Sequence, residues 1–476
     1  LSNHEPIRYG RICLATGGVP RAFLPNNPLV VTLRDTESVF HFRSRLEVFN
    51  QLLVIALLNL QFAPTVPGAR RVLLVGNGGI ATEVAYEIED CQVVWVVKHE
   101  NISVPFLDTT AAYFLLQSRK SRSRNLGGSE TLTAEKTEEK TAPLIQTLRY
   151  SLAERQHGGE ARLVPAKEAS DSSSIPFGSA LGPDWAQGLK FTGIMGEKDL
   201  ARPLKLSSSC FYRYLLIVYN SQVVGTFTPD EFKDSGLVQV EADSDGNLLP
   251  EHVKDWPIYA RLSNGDVYGC DFIINATGVD ANLGPETSSG AHAFAKDNPA
   301  LRVIDRAHGG GIIVDEFMQS SIPEVYAVGD CAYAGWKPSP HWFQMRLWSQ
   351  ARQMAFQAAK SMFFHSQQVA DVPQDFSFEL FSHVTFFFGF KVVLLGLFNG
   401  QGLDLTAPNC HLLMRISPGE TYVKCVMKDG RMQGALLIGE TELEETFENL
   451  ILNQLDLTSF GEHLLDPNID LSDFFD

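Results

Sequence analysis

The stretch RRVLLVGNGGIA, residues 70–81, decides the fold. Its first half has the pattern of a buried strand, and the motif G-x-G-x-x-A follows directly from Gly76 to Ala81. Residues 79–89 have helical periodicity, and residues 93–97 form a second apolar run. This order of strand, glycine-rich turn, helix and strand predicts the β-α-β unit of a dinucleotide-binding domain.

Each small residue of this turn has a physical task. Gly76 permits the tight turn after the strand, and Gly78 lets a pyrophosphate approach the backbone at the helix N-terminus. Gly79 opens the helix, and Ala81 keeps the helix close to the strand. The alternative is a glycine-rich turn without a ligand, but its place between a strand and a helix favours a nucleotide site.

The residue that closes the second strand commonly decides between NAD and NADP, because an acidic side chain there accepts a hydrogen bond from the ribose 2′-hydroxyl. Lys98 stands at this position and is followed by His99 and Glu100. Either NADPH is accepted, or Glu100 substitutes from the loop, or Lys98 is a solvated strand end. The sequence leaves these three interpretations open.

Three further short motifs each follow an apolar run. Two of them are Ala15-Thr16-Gly17 and Ala276-Thr277-Gly278, and the third is Gly329-Asp330. Gly329 allows close backbone approach, and Asp330 can accept hydrogen bonds from sugar-like hydroxyls. We expect a long helix to begin near His341, with its N-terminus facing an electron-rich ring.

The order of these motifs resembles that of the pyridine nucleotide-disulphide oxidoreductases. The resemblance implies an α/β fold with two Rossmann-like dinucleotide-binding domains, one for FAD and one for NAD(P)H, and a C-terminal α+β domain. It places Gly329 and Asp330 at the ribityl-phosphate region of FAD and Glu83 near the nicotinamide. C-terminal stretches such as residues 436–449 and 465–470 resemble a narrower group within this superfamily.

The function implied by this resemblance is an FAD-dependent oxidoreductase that takes hydride from NAD(P)H. The resemblance also implies a role in oxidative-stress defence and muscle-fibre integrity, protection of a tRNA ligase complex, and a location in nucleus, cytoplasm and sarcomere. The glycine motif that normally binds the ADP half of FAD is absent before Ala15, so we expect the chain to be truncated at its N-terminus. The alternative function is therefore a catalytically impaired interaction or scaffold protein on a flavoprotein fold.

The predicted domains follow from these motifs and from changes in composition. Residues 117–176 are rich in Ser, Glu, Lys and Gly, which predicts a mostly disordered insertion. Lys428-Asp429-Gly430-Arg431 predicts a hairpin turn, and residues 441–455 a helix. The predicted divisions are 1–46 for a remnant of the FAD domain, 47–69 for an apolar connection, 70–278 for the NAD(P) domain, 279–370 for the second part of the FAD domain and 371–476 for the C-terminal domain.

Composition excludes several other classes of protein. The formal net charge of −17 repels phosphate backbones, so we expect no direct nucleic-acid partner. The 7 cysteines are scattered without a C-x-x-C pair, which argues against a disulfide-rich secreted fold and a zinc ribbon, and we predict no metal site. We expect no signal peptide, and the apolar residues 48–62 are too few for a membrane span, so they predict a buried helix.

Overall fold

The computed structural model describes residues 8–21, 27, 29–32, 70–88, 91–116, 143–148, 150–152, 189–191, 214–241, 255–284, 298–304, 309–469 and 471. The buried helix predicted over residues 48–62, and the apolar connection 47–69, lie outside this set. Among the described residues, no helix has the length and hydropathy required to cross a bilayer.

The regular elements of the described residues are as follows. The strands are β1 Ile12–Leu14, β2 Gly18–Pro20, β3 Val30–Thr32, β4 Arg71–Val75, β5 Gln92–Val96, β6 Leu144–Leu148, β7 Tyr150–Leu152, β8 Leu189–Phe191, β9 Tyr214–Val218, β10 Val223–Phe227, β11 Ile258–Leu262, β12 Val267–Cys270, β13 Phe272–Asn275, β14 Val279–Ala281, β15 Val303–Ile304, β16 Gly311–Val314, β17 Val325–Ala327, β18 Ala332–Ala334, β19 Ser382–Phe387, β20 Phe390–Gly396, β21 Cys410–Ser417, β22 Thr421–Lys428 and β23 Arg431–Ile438. The α-helices are α1 Gly79–Glu87, α2 Pro229–Ser235, α3 Trp348–Ser366 and α4 Glu444–Asn453. Residues 109–116 are also helical, and short 3₁₀ helices span Gly329–Cys331, Phe376–Phe378 and Gly461–Leu465.

A parallel sheet in the order β3-β13-β4-β5-β9 carries the glycine-rich turn. Every residue of β4 and β5 is buried, as is typical of parallel strands covered on both faces. Strands β10, β11 and β12 form an antiparallel meander that packs against this sheet through a shared apolar cluster. The predicted strand, turn and helix around the G-x-G-x-x-A motif are therefore present.

The C-terminal region forms an antiparallel sheet in the order β19-β20-β23-β22-β21-β6. Asp429 and Gly430 join β22 to β23 with φ values of 51° and 72°, which is the left-handed geometry of a tight hairpin turn. Helix α4 covers one face of the sheet through Phe447, Leu450 and Ile451. The predicted hairpin and helix are both found.

Two stretches of the insertion that the sequence predicts to be mostly disordered form strands. Leu144–Leu148 pairs with β21 at the edge of the C-terminal sheet, and Tyr150–Leu152 pairs with Leu189–Phe191. The Thr147 N–H donates to Glu462 Oε1 at 2.8 Å, which adds a side-chain contact to the strand pairing. The physical reason is that β21 offers an open edge to any chain that can pair with it. Apart from Pro143, the other residues of 117–176 lie outside the described set.

The flavin half implied by the motifs consists of short strands. Strand β1 pairs with β17 in parallel, and β2 pairs with β14 in antiparallel. Strand β16 pairs with β15 and β18, and α3 packs beside the 3₁₀ turn Gly329–Cys331. The domain boundaries proposed from the sequence stay a prediction.

The helix predicted to begin near His341 begins instead at Trp348. The preceding segment is held in a non-helical conformation by the side chain of Gln350. Its Oε1 accepts from the Met345 N–H at 2.7 Å, and its Nε2 donates to the Phe343 carbonyl at 2.8 Å. Phe343 also stacks on Phe381, with ring centroids 4.2 Å apart. These side-chain contacts outcompete the first turns of a helix.

The second face of the C-terminal sheet packs directly on the nucleotide-binding half. Phe114 contacts Phe390 and Tyr422, each with ring centroids 5.7 Å apart. Phe106 contacts Phe387 at 5.5 Å. The two halves therefore share one apolar core.

Gly434 tests how closely the C-terminal sheet is packed. A Cβ at this position of β23 would lie 2.2 Å from the carbonyl carbon of Leu397. We expect Gly434→Ala to lower the free energy of unfolding by about 1–3 kcal/mol, as overpacking typically does. Gly225→Ala in β10 is the matched control, because nothing lies within 4 Å of its Cβ position. Urea denaturation measures both, and equal destabilisation would contradict the packing described.

Candidate functional site

The turn at Gly76 is pressed against the end of a neighbouring strand. Gly76 has a φ of +144°, and a Cβ on it would lie 2.2 Å from the carbonyl oxygen of Ala276. The Trp95 indole N–H donates to the Gly76 carbonyl at 2.8 Å. Only glycine fits here. The glycine-rich turn therefore contacts the backbone of the Ala276-Thr277-Gly278 motif at its first residue.

Gly78 faces the opposite situation, because nothing lies within 4 Å of its Cβ position. It is the N-cap of α1, and it has no side chain to accept from the first-turn N–H groups. Ala81, one turn further, is fully buried against the sheet. The arrangement leaves open space in front of a helix N-terminus at the end of a parallel strand, which fits a pyrophosphate. Glu83 lies half-buried on the same helix.

The wall beside this space is aromatic. The Phe106 ring lies 3.4 Å from the Cβ position of Gly79, and it packs against Phe387 and His383. Burial lowers the pKa of His383 to about 4, so this imidazole is neutral at neutral pH. The wall therefore adds shape and no positive charge.

A polar network that the motif analysis missed fixes the turn from behind. The Asn77 Oδ1 atom accepts from the Ser103 N–H at 2.6 Å, and Asn77 Nδ2 donates to the Asn101 carbonyl at 2.9 Å. The Thr82 hydroxyl donates to the Gly78 carbonyl at 3.0 Å and contacts the Ser103 hydroxyl. The sequence signal was an amide side chain at the variable position of G-x-G.

Lys98 and Glu100 are both exposed beyond the end of β5. His99 lies between them, and Asn77 Nδ2 is 3.0 Å from its Nδ1 atom. Because an amide nitrogen is always a donor, His99 Nδ1 acts as the acceptor in this contact. Lys98 lies two residues beyond the end of β5, at the position that commonly contacts the ribose in dinucleotide-binding folds. Its role in cofactor choice stays a prediction.

A two-stranded ribbon brings the two A-T-G motifs together. Strand β2 follows the first motif and pairs with β14, which follows the second. The Thr16 hydroxyl donates to the Asn282 carbonyl at 2.7 Å, and Asn282 Nδ2 donates back to the Thr16 carbonyl at 3.1 Å. Gly17 has a φ of 70°, and Ala15 is exposed beside it.

The second motif is fixed in a similar way. The Thr277 hydroxyl donates to Asn275 Oδ1 at 2.7 Å. Gly278 has a φ of +95°, and its carbonyl accepts from the Arg21 N–H at 3.0 Å. An ion pair between Arg21 and Asp280, 2.7 Å apart, closes the ribbon.

Asp330 stands where this ribbon meets α3. A Cβ on Gly18 would lie 3.1 Å from Asp330 Oδ2, so the carboxylate lies against the ribbon backbone. Gly329 has a φ of +70°, and its Cβ position is 3.4 Å from Ala351 of α3. Asp330 is half-buried, close to the N-terminal part of a long helix. This geometry fits the ribityl end of FAD, because a carboxylate accepts from sugar hydroxyls and a glycine admits close approach.

Arg346 is a further site residue whose role the sequence did not reveal. Its guanidinium donates to the carbonyls of Asp330 and Val279, each at 3.1 Å, and to those of Gly309 and Gly310 at 2.5 and 2.9 Å. Burial lowers the pKa of Arg346, although four carbonyls surround the cation. It joins the Gly-Asp turn, the ribbon and a glycine loop into one body.

Comparisons with known proteins agree with this geometry. Residues 237–355 match the pyridine nucleotide-disulphide oxidoreductase family. Among solved structures, an NAD-dependent persulfide reductase from A. fulgidus has a TM-score of 0.53 and 14% identity, covering 98% of this chain and 60% of its own. An FAD-dependent pyridine nucleotide-disulphide oxidoreductase from Desulfovibrio vulgaris has a TM-score of 0.51 and 12% identity, covering 97% and 80%. The fold class predicted from the sequence is confirmed, because the chain shares the fold of these oxidoreductases.

The curated relatives are more specific. A Homo sapiens protein is 40% identical over 98% of this chain and 79% of its own length, and a Dictyostelium discoideum protein is 33% identical over 98% and 82%. Both are named pyridine nucleotide-disulfide oxidoreductase domain-containing protein 1, and this chain belongs to that family. Pyridine nucleotide-disulphide oxidoreductases use FAD and NAD(P)H.

Two glycines of one turn make a matched pair of variants. We expect Gly78→Val to fold, because its side chain enters open space, and to lose NADH and NADPH binding, because that space is the pyrophosphate path. We expect Gly76→Ala to destabilise the protein by about 1–3 kcal/mol, since its Cβ meets a backbone carbonyl. Thermal melting and titration with each nucleotide separate the two effects. Unchanged nucleotide binding by Gly78→Val would show that the site lies elsewhere.

Proposed function

We propose that this chain is an FAD-dependent oxidoreductase that takes hydride from NADH or NADPH and passes the electrons onward. The observation that carries the proposal is the open space at Gly78, in front of a helix N-terminus at the end of a parallel strand. Such a terminus offers N–H groups and partial positive charge to a pyrophosphate. Family membership is the second support.

Different residues would contact the adenosine end and the nicotinamide end of the bound nucleotide. Gly78 leaves the backbone N–H groups accessible to the pyrophosphate, and the exposed side chain of Lys98 would contact the adenosine ribose. Towards the other end, the Thr277–Gly278 backbone follows the carboxyl end of β13 in the same sheet, where the nicotinamide ring would extend. Glu83 on α1 is assigned to the nicotinamide by family resemblance.

The residues at the flavin act chiefly by position. When bound, FAD supplies the two-electron acceptor for the hydride, and the protein contributes orientation and electrostatics. Asp330 would accept from the ribityl hydroxyls, and Arg346 holds the carbonyl of the same residue so that the turn cannot rotate away. The backbone of Ala15-Thr16-Gly17 would line the other side, because it lies next to the Gly-Asp turn through the β1–β17 pairing.

We also propose the cellular role that the family resemblance implies. The protein would act in oxidative-stress defence and muscle-fibre integrity, protect a tRNA ligase complex from oxidation, and be found in nucleus, cytoplasm and sarcomere. Family membership alone supports this part. Co-purification of the complex with the tagged protein, and imaging of the tag in muscle cells, test it directly.

The flavin assignment is tested by absorption spectroscopy and one substitution. A version of the protein that carries the glycine-rich FAD-binding unit before Ala15 should show the spectrum of an oxidised flavin and be bleached by NADH or NADPH under anaerobic conditions, whereas the chain as printed should retain little FAD. Asp330→Ala should weaken FAD retention about tenfold to a hundredfold, because hydrogen bonds to a charged group contribute about 1.5–3 kcal/mol.

Asp404→Ala is the control for that substitution, because Asp404 caps a turn at Thr406 in the C-terminal domain. This substitution also removes a carboxylate, but one outside the proposed flavin site, so it should leave FAD content unchanged. Equal FAD retention by Asp330→Ala and the parent protein would remove Asp330 from the flavin site.

Cofactor choice is tested at Lys98. A lysine at the end of β5 attracts a 2′-phosphate, so NADPH should be used at least comparably to NADH. Lys98→Asp should shift the ratio of the two kcat/KM values towards NADH by about tenfold or more, because the carboxylate repels the phosphate and accepts from the 2′-hydroxyl. Lys233→Asp on α2 makes the same charge change on an exposed helix. A ratio that moves equally in both variants would make Lys98 a bystander.

A further inference from the structure

Lys424 is a fully buried charged side chain on the C-terminal sheet, far along the chain from the nucleotide motif. It lies on β22, and its side chain is 0% exposed. Its ammonium group forms an ion pair with Asp108 and donates to Asn399 Oδ1 at 2.6 Å. A buried charge costs several kcal/mol to desolvate, so both partners have to be held in good geometry.

Asp108 connects this ion pair to the nucleotide-binding half. Its Oδ1 accepts from the N–H groups of Thr110 and Ala111 at 2.9 and 3.0 Å, which makes it the N-cap of helix 109–116. Its other oxygen, Oδ2, accepts from Lys424. One carboxylate therefore fixes both the start of that helix and the distance to the C-terminal sheet.

Residues 101–108, called here the bridging segment, run from Asp108 back to the glycine-rich turn. The Ser103 carbonyl accepts from the Phe106 and Leu107 N–H groups at 2.8 and 2.9 Å, which folds the segment tightly. The Ser103 N–H donates to Asn77, and the Ser103 hydroxyl contacts Thr82.

The bridging segment is tied to the C-terminal sheet at a second point. Asn399, which also accepts from Lys424, donates its Nδ2 to the Phe106 carbonyl at 3.4 Å. The Phe106 ring in turn forms the wall beside Gly79. Lys424 therefore reaches the turn by two routes, one through Asp108 and Ser103 and one through Asn399 and Phe106.

We propose that Lys424 is a positioning residue for the pyrophosphate turn, acting through Asp108 and the bridging segment. This proposal rests on the proposed function, because it assumes that the turn from Gly76 to Gly79 binds a nicotinamide nucleotide. The C-terminal sheet then contributes to nucleotide affinity through the bridging segment. A loss of the tether lets Asn77 and Phe106 move, and the N–H groups at Gly78 lose their fixed direction.

The test variant is the double substitution Lys424→Met/Asp108→Asn in the FAD-loaded full chain. It removes the ion pair without leaving a buried unpaired charge, and asparagine caps a helix as well as aspartate does. The single variant Lys424→Met is measured beside it. Calorimetric titration with NADP⁺ and NAD⁺ gives the dissociation constants, thermal melting gives stability, and the visible spectrum gives FAD content.

Arg415→Met is the matched control. Arg415 is a buried cation on the adjacent strand β21 whose guanidinium donates to the Leu465 carbonyl at 3.1 Å. Its neighbours belong to the cluster on the α4 face of the sheet, so its loss weakens the same sheet without touching the bridging segment.

The double variant should bind the nucleotide about tenfold more weakly than the parent, within the range of coupling between residues of one network. FAD content should stay at the parent level, and Arg415→Met should keep the parent dissociation constant even where its melting temperature falls. An unchanged dissociation constant in the double variant, or an equal loss of affinity in Arg415→Met, overturns the proposal. A parent protein that binds neither nucleotide overturns the proposed function, and this proposal falls with it.

Discussion

A pyrophosphate can bind to backbone N–H groups only where no side chain stands between them, and this constraint governs the structure around Gly76 and Gly78. The two glycines are required for opposite reasons. At Gly76 the space is filled, because the carbonyl of Ala276 occupies the place of a side chain. At Gly78 the space is empty and faces outward. The conformation of the turn therefore requires the pairing of β4 with β13. The proposed nucleotide site thus depends on contacts between residues that lie 200 positions apart in the sequence.

The carboxyl end of β13 also connects the glycine-rich turn to the flavin half. Beyond β13 the chain passes through Thr277 and Gly278 into β14, which pairs with β2. Strand β1, which precedes β2 in the chain, pairs with β17. Strand β17 ends at Ala327 and leads into the 3₁₀ turn that contains Gly329 and Asp330. The motifs that looked separate in the sequence are consecutive supports of one continuous backbone path. Arg346 holds that path in place by donating to two of its carbonyls, those of Asp330 and Val279, and to the neighbouring glycine loop at Gly309 and Gly310.

Sequence patterns predicted the elements whose signals are local. The strand, glycine turn and helix around Gly76, and the hairpin at Asp429-Gly430, need only neighbouring residues to be recognised. Strand β6 was missed because its residues lie in a polar, low-complexity region and its partner β21 is remote in sequence. The late start of α3 was missed because the side chain of Gln350 and the stacking of Phe343 on Phe381 are tertiary contacts. Asn77 was passed over because only the fold reveals Ser103 behind it.

The strongly acidic composition and a site for an anionic nucleotide are compatible because they act over different distances. A net charge of −17 repels phosphates through the solvent, but salt screens this field within about 8–10 Å at physiological ionic strength. At contact distance, a nucleotide bound as proposed would meet the N-terminus of α1, whose partial charge comes from peptide dipoles and not from side chains. The nearby imidazole of His383 is neutral, and the ammonium of Lys424 is already paired with Asp108. Affinity at this turn therefore depends on how accurately the backbone N–H groups are aimed, which is why the supports behind the turn matter as much as the residues that face the nucleotide.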